Sequence, residues 1–369
     1  MGRFVLEEAA CRARQQRLLA EMETLQADVA IVTRRENVQW LTGVLFGPVF
    51  SPAVVLWKDG SCLLVAPASS MPDQAAADEI RTYEGQSHST LRNDQPEKCA
   101  AVVLDSLQGT NHGKVAVEWG CCGPYYTSTF SDSLVDIEPT LFRLRRRRDP
   151  DELVLQKKAI GATGAMYDKV REILKPGLNE LEMFNALQAT AVEYLSEMIT
   201  GTGNDYASGE KGGPPRDRKI EAGELYILDL GPAYRGYFAD NCRAFAVNRE
   251  PTEAQQGAWD RLSKIFPMVE AKVKPGVSCK GFFEEIQAYL DEYREGVFDH
   301  HLGHGVGLFP HEAPHLNPNW DDVFEVGDVF TVEPGLYWDE LRFGIRLEND
   351  YLVTEQGVEL LSDFPLGLT

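Results

Sequence analysis

The sequence predicts an α+β protein in two parts: a smaller α/β domain over residues 1–147, then a domain over residues 148–369 made from a duplicated half-domain about a pseudo-two-fold axis. Three observations carry this expectation. At 369 residues the chain is long enough for two domains, each with its own core. Up to about residue 140, strand-length apolar runs alternate with helical stretches. From residue 150 onward one pattern of elements occurs twice.

Taken in order, residues 7–26 read as a helix, with Leu18, Leu19, Met22 and Leu25 at helical spacing. The runs DVAIVT (28–33), PAVVLW (52–57), CLLVA (62–66) and VAVEW (115–119) read as strands. A basic run follows, Arg143 and Arg145 to Arg148, expected to be an interdomain hinge or a solvated face rather than a nucleic-acid or targeting segment. Asp149-Pro150-Asp151-Glu152 reads as a helix start, acidic in its first turn with Pro just inside, which puts the boundary at about 145–150. Beyond it, Lys175-Pro176-Gly177 recurs as Lys274-Pro275-Gly276, each lying between two helical stretches. GELYILDLG (223–231) recurs as GDVFTVEPG (327–335), setting Asp229 opposite Glu333. A short second strand then carries Asp240 in the first half and Glu348 in the second. Two carboxylates from each half would meet near the axis.

Composition narrows the function. The formal net charge of −21 argues against a nucleic-acid partner, which needs a basic face, and against an anionic membrane surface. Seven cysteines, an odd number without CxxC spacing, are expected to be reduced thiols. The first twenty residues are charged throughout, and no apolar run reaches membrane-spanning length, so a cytoplasmic protein is expected.

Five of the seven histidines fall within sixteen residues: His300, His301, His304, His311 and His315. Gly303, Gly305 and Gly307 interleave with them, so the stretch reads as a strand or loop that aims side chains at one point. Three of the four acids of the echo have apolar neighbours: Leu228 and Leu230 beside Asp229, Val332 beside Glu333, and Leu347 beside Glu348. Carboxylates in apolar strands are costly, and four together repel, unless cations neutralise them. Salt bridges to Arg243, Arg342 and Arg346 would serve one or two acids, not four. Four carboxylates and one imidazole make an oxygen-rich set that suits Mn²⁺, Fe²⁺, Co²⁺ or Zn²⁺ in a catalytic pair rather than a closed structural zinc.

These residues resemble the pita-bread metallopeptidases: methionine aminopeptidase, aminopeptidase P and prolidase. The likeness lies in Asp229 and Asp240 at their spacing, His304 within Gly-His-Gly-Val-Gly, His311 within His-Glu-Ala-Pro, Glu333 within Thr-Val-Glu-Pro-Gly, and Glu348 within Arg-Leu-Glu-Asn-Asp. Each motif alone is weak; their order is specific. Residues 37–43 (NVQWLTG) and the KIEAGE run at 219–224 look like the creatinase and prolidase branch. The resemblance implies a pita-bread domain behind a creatinase-like N-terminal domain. It implies two divalent metal ions, manganese first among Mn, Co, Fe and Zn, on Asp229, Asp240, His304, Glu333 and Glu348. It also implies hydrolysis of short Xaa-Pro peptides by a metal-bridging hydroxide, with Glu333 shuttling the proton. His311 and His301 would hydrogen-bond the substrate or the oxyanion, and Arg346 would pair with either a substrate carboxylate or a ligand carboxylate. A homodimer is implied as well.

Two departures touch the substrate side. Relatives place a substrate-contacting His where this chain has Gly212, and the usual Asp-x-Thr-Arg reads Asp240-Asn241-Cys242-Arg243. Two other readings therefore stand beside the peptidase: a small-molecule C–N hydrolase of the ectoine hydrolase kind, or a lyase, on the same fold; and a non-catalytic binding module.

Overall fold

The computed structural model describes residues 2–109, 112–203 and 205–369. Between Arg145 and Arg146 the chain divides into two compact units.

The first unit is built on a six-stranded mixed sheet. Its order is Leu134–Asp136, Lys114–Val117, Ala27–Val32, Ala53–Trp57, Cys62–Pro67 and Glu79–Tyr83. The central strands are apolar at nearly every position because both their faces are covered. Val29, Ile31, Val55, Leu63, Val65 and Val115 pack with Cys99, Ala100 and Val103 of the helix Gln95–Ser106. The expected first helix runs Glu8–Leu25 and ends where Gln26 takes a left-handed conformation.

The basic run spans the division between the two units, as an interdomain segment would, and its Arg143 and Arg147 are exposed, but it is not solvated throughout. The helix Glu138–Arg146 contains its start, and Arg145, Arg146 and Arg148 are all buried. Within the first unit Arg145 donates to Asn37 Oδ1 at 2.6 Å. Within the second, Arg146 forks onto Asp328 at 2.9 and 2.7 Å, and Arg148 meets Glu312 at 2.6 Å. Charges read from sequence as solvated are buried because each has an acceptor far away in the chain.

In the second unit the helix Pro150–Ile173 starts with a capping box between Asp149 and Glu152, and Glu180–Leu195 starts with another between Asn179 and Glu182. The second half supplies Glu253–Ser263, Ile265–Lys272 and Cys279–Tyr293. The strand Leu225–Leu230 pairs antiparallel with Asn241–Ala246. Leu225, Ile227, Cys242 and Ala244 face one core, and Tyr226, Leu228, Leu230 and Phe245 the other. The matching strands of the second half, Val329–Val332 and Asn349–Thr354, sit in an antiparallel sheet ordered Glu312–Leu316, Gly303–Gly305, Val329–Val332, Asn349–Thr354, Gly357–Leu360. The two halves are stitched at Glu348. Its N–H donates to Cys242 O at 3.0 Å, and its carbonyl accepts from Asn241 Nδ2 at 2.8 Å and from Arg243.

One detail differs from expectation. Only Asp229 lies inside a strand; Glu333 directly follows Val332, and Asp240 and Glu348 directly precede the strands beginning at Asn241 and Asn349. At a strand end the backbone leaves the ladder, so the side chain need not point into either apolar face. Among the described residues, no helix is long and apolar enough to cross a membrane.

Candidate metal centre and active site

The four echo acids and His304 converge on one cavity of about 340 Å³ in the second unit. His300, His301, His311 and Arg346 line it too, as do Asp205, Lys211, Asp299 and Tyr337. Oxygens of Asp229, Asp240 and Glu348 lie within 4.8 Å of one another, and so do ligand atoms of His304, Glu333 and Glu348. Glu348 belongs to both groups, which gives two overlapping three-ligand sets.

The atoms facing each other are arranged as a cation site would be. His304 is 4% exposed, and its Nδ1 lies 3.0 Å from the Gly305 carbonyl, which only accepts, so Nδ1 carries the proton. Nε2 is then a lone pair, yet it faces Glu333 Oε1 at 3.4 Å and Asp240 Oδ2 at 3.7 Å. Burial holds the His304 imidazolium down, to a pKa of about 4, so the ring is neutral near pH 7. An unprotonated nitrogen facing two carboxylate oxygens is repulsive without a cation among them. Glu348 Oε2 is buried and makes no hydrogen bond, a second acceptor in search of a cation. Burial raises Asp229 to about 6 despite the Arg346 charge, and burial with neighbouring carboxylates raises Asp240 and Glu348 well above their ordinary values. Six carboxylates in the cavity wall face one lysine and one arginine, an excess that divalent ions would balance. The donor set therefore fits a pair of hard or borderline divalent cations.

The histidines take different states. His301 Nε2 lies 2.7 Å from Glu333 Oε1. Burial opposes the His301 charge, but that bond and the carboxylate charge raise its pKa overall. The same bond and nearby imidazoles overcome burial at Glu333 and hold it down to about 2. His300 Nδ1 donates to His301 O at 2.7 Å, so its Nε2 accepts from Tyr337 OH at 2.8 Å. His311 stacks on His304 with centroids 3.7 Å apart and planes 14° apart. His315 lies apart from the cavity wall and bonds Asp322 at 2.8 Å.

Arg346 behaves differently from a substrate-binding residue. Nε and Nη2 reach Asp229 Oδ2 at 3.2 and 2.8 Å, Nη2 also pairs with Asp205, and Nη1 donates to Lys211 O at 3.0 Å and Tyr337 OH at 3.3 Å. Each of its N–H groups has a protein acceptor, so the expected contact with a substrate carboxylate finds no free donor. The alternative, orienting a ligand carboxylate, is what the geometry supports. Cys242 is fully buried, its thiol 3.5 Å from Arg346 O and kept neutral by burial.

Residues 155–355 match the metallopeptidase family M24, and residues 14–146 match the creatinase/prolidase N-terminal domain. The chain belongs to metallopeptidase family M24. As a member it is a metal-dependent hydrolase of the pita-bread fold, with a creatinase-type N-terminal domain in front. It is 28% identical over 361 residues to an uncharacterised peptidase of Staphylococcus aureus strain MW2, covering 94% of this chain and 98% of that one. Its fold is similar to an Xaa-Pro dipeptidase from Bacillus anthracis, with TM-score 0.82, 23% identity and coverage of 97% and 99%. It is similar also to an X-Pro aminopeptidase from Thermotoga maritima MSB8, with TM-score 0.79, 23% identity and coverage of 96% and 98%.

Four wall residues of this M24 site had no role from sequence: Asp205, Lys211, Asp299 and Tyr337. His300 was visible only as one of five clustered histidines. Asp205 enters through a backbone bridge to Asp229, at 3.3 and 3.2 Å, that no motif announces. Gly212 explains itself through Asp205: a Cβ at position 212 would overlap the Asp205 carboxylate.

Proposed function

We propose that the chain hydrolyses the amide bond preceding proline in short Xaa-Pro peptides, using two divalent ions held by Asp229, Asp240, His304, Glu333 and Glu348. The observation that supports it most is the lone pair of His304 Nε2 facing Glu333 and Asp240 beside the unpartnered Glu348 Oε2. Bound there, the pair would supply a water acidified toward neutral pH as the nucleophile. Glu333 Oε1 accepts the proton lost in the attack and delivers it to the leaving nitrogen, while His301 Nε2 at 2.7 Å steadies the carboxylate between the two transfers. His311, held flat on His304 in the cavity wall, would hydrogen-bond the developing oxyanion. Arg346 fixes the rotamer of Asp229. Manganese, a homodimer, a cytoplasmic location and a domain division at 147/148 belong to the same reading; the resemblance supports the first two, and seven free thiols support a reducing compartment.

A second reading, a small non-peptide C–N substrate, is favoured by one feature, the Asp205–Gly212 arrangement beside Arg346. Proline release from a panel of Xaa-Pro dipeptides and Xaa-Pro-Xaa tripeptides, with protein reloaded with each candidate metal, separates the two. Turnover of either class supports the peptidase. Stoichiometric metal with no proline released from any member would transfer the assignment to the second reading.

A further inference from the structure

With every Arg346 donor engaged, Lys211 is the other cation in the cavity wall among the described residues. Its placement is built. Asp205 Oδ1 accepts from Gly213 N at 2.7 Å, a Cβ at position 212 would overlap the Asp205 carboxylate as it is placed, and the Lys211 carbonyl is held by Arg346 at 3.0 Å. The ammonium then stands 4.7 Å from the centre of the Tyr337 ring, whose hydroxyl touches both His300 and Arg346. Its partner is Asp299, at 2.6 Å, with both side chains 55% exposed. An ion pair that exposed is held weakly and exchanges readily for another partner.

We propose that Lys211 receives the carboxylate of the substrate's free C-terminus, in exchange for Asp299, and so makes dipeptides the preferred substrate class. The inference rests on the peptidase reading of the same site. The Tyr337 ring lies between the ammonium and the side chains of His300 and Arg346, and all four residues line the same cavity as the ligand set. A cavity of about 340 Å³ is near the small end for ligand sites, which run from ~300 to ~1,000 Å³. With the ligand carboxylates balanced by metal and Arg346 engaged, the lysine is the cation left to set which way round the peptide lies.

The test compares Ala-Pro, its C-terminal amide and its N-acetyl form on the metal-loaded enzyme, reading KM and kcat separately and binding by calorimetry. Lys211→Met keeps the aliphatic packing over Tyr337 and removes the charge. We expect it to raise KM for Ala-Pro by about ten- to a hundredfold with kcat little changed, to leave the amide unaffected, and to be partly rescued by Lys211→Arg. Asp299→Asn, which frees the ammonium, should lower KM for Ala-Pro. Equal discrimination between acid and amide in wild type and Lys211→Met would overturn the proposal. So would a rise in KM with Asp299→Asn that acetylation cancels, which would give the peptide's ammonium to Asp299 instead. Calorimetry separates this from the peptidase reading: Ala-Pro bound through Lys211 but not cleaved defeats the latter alone, cleavage without acid–amide discrimination defeats the former alone, and no binding of either peptide defeats both.

Discussion

The tautomer of His304 is set by one hydrogen bond to Gly305, and that bond turns a buried imidazole into a ligand aimed at two carboxylates. The cost of this arrangement without metal is readable at Glu348. Burial and the charges of Asp229, Glu333 and Asp240 raise its folded pKa above the unfolded value of about 4.3. The resulting destabilisation is absent below that pH and grows as pH rises through the folded pKa. Metal-free Glu348→Gln should therefore melt above metal-free wild type at pH 8, with the gap closing toward pH 4, and below wild type once metal is added. Thermal melts across pH check this; a metal-free variant that melts lower at pH 8 would refute it. Asp240→Asn should lower turnover by about 10³-fold or more while the fold persists, a loss that kcat and circular dichroism measure together. At this scale the ligand set was legible because a carboxylate between apolar neighbours needs a reason. Lys211 and Asp299 were not, because an exposed pair at the cavity wall looks like any surface ion pair until the fold places it.

Glycines let two strands close around the ligands. A Cβ at Gly303 would overlap the Thr331 carbonyl, and one at Gly305 the Ala313 carbonyl, so the short strand between them fits only without side chains there. Gly305→Ala should move His304 off its ligand position and destabilise the protein by about 1–3 kcal/mol, seen as a lower denaturation midpoint and weaker metal binding. An unchanged midpoint with full metal content would show the backbone can yield. The longer elements were legible in sequence from periodicity and capping residues: Asp149, with Pro150 and Glu152, announces the helix Pro150–Ile173. Two-residue strands such as Gly335–Leu336 and Ile345–Arg346, which bring Tyr337 and Arg346 to the site, carry too few residues for any period to show. The burial of Arg145, Arg146 and Arg148 was hidden for a different reason, since their acceptors Asn37, Asp328 and Glu312 are distant in sequence.

At the scale of the whole chain the duplication is what makes a two-ion site possible. Each half ends a strand pair with two carboxylates, and stitching at Glu348 brings the four together. Ions bound to the folded state alone should add about 2.7 kcal/mol per site at a hundredfold excess over Kd, so melting should rise with metal concentration and fall with chelator. The duplication was legible as an echo of motifs; that the halves join through Cys242, Asn241 and Arg243 was not, because each of them pairs with the backbone of Glu348, which is distant in sequence and marked by no side-chain pattern. The most direct test of the two-ion claim is a count of bound metal after equilibrium dialysis of wild type and Glu348→Gln against Mn²⁺. We expect two ions per wild-type chain and no more than one in the variant, since Glu348 is shared between both ligand sets. One ion or none in wild type, or two retained by Glu348→Gln, would contradict it.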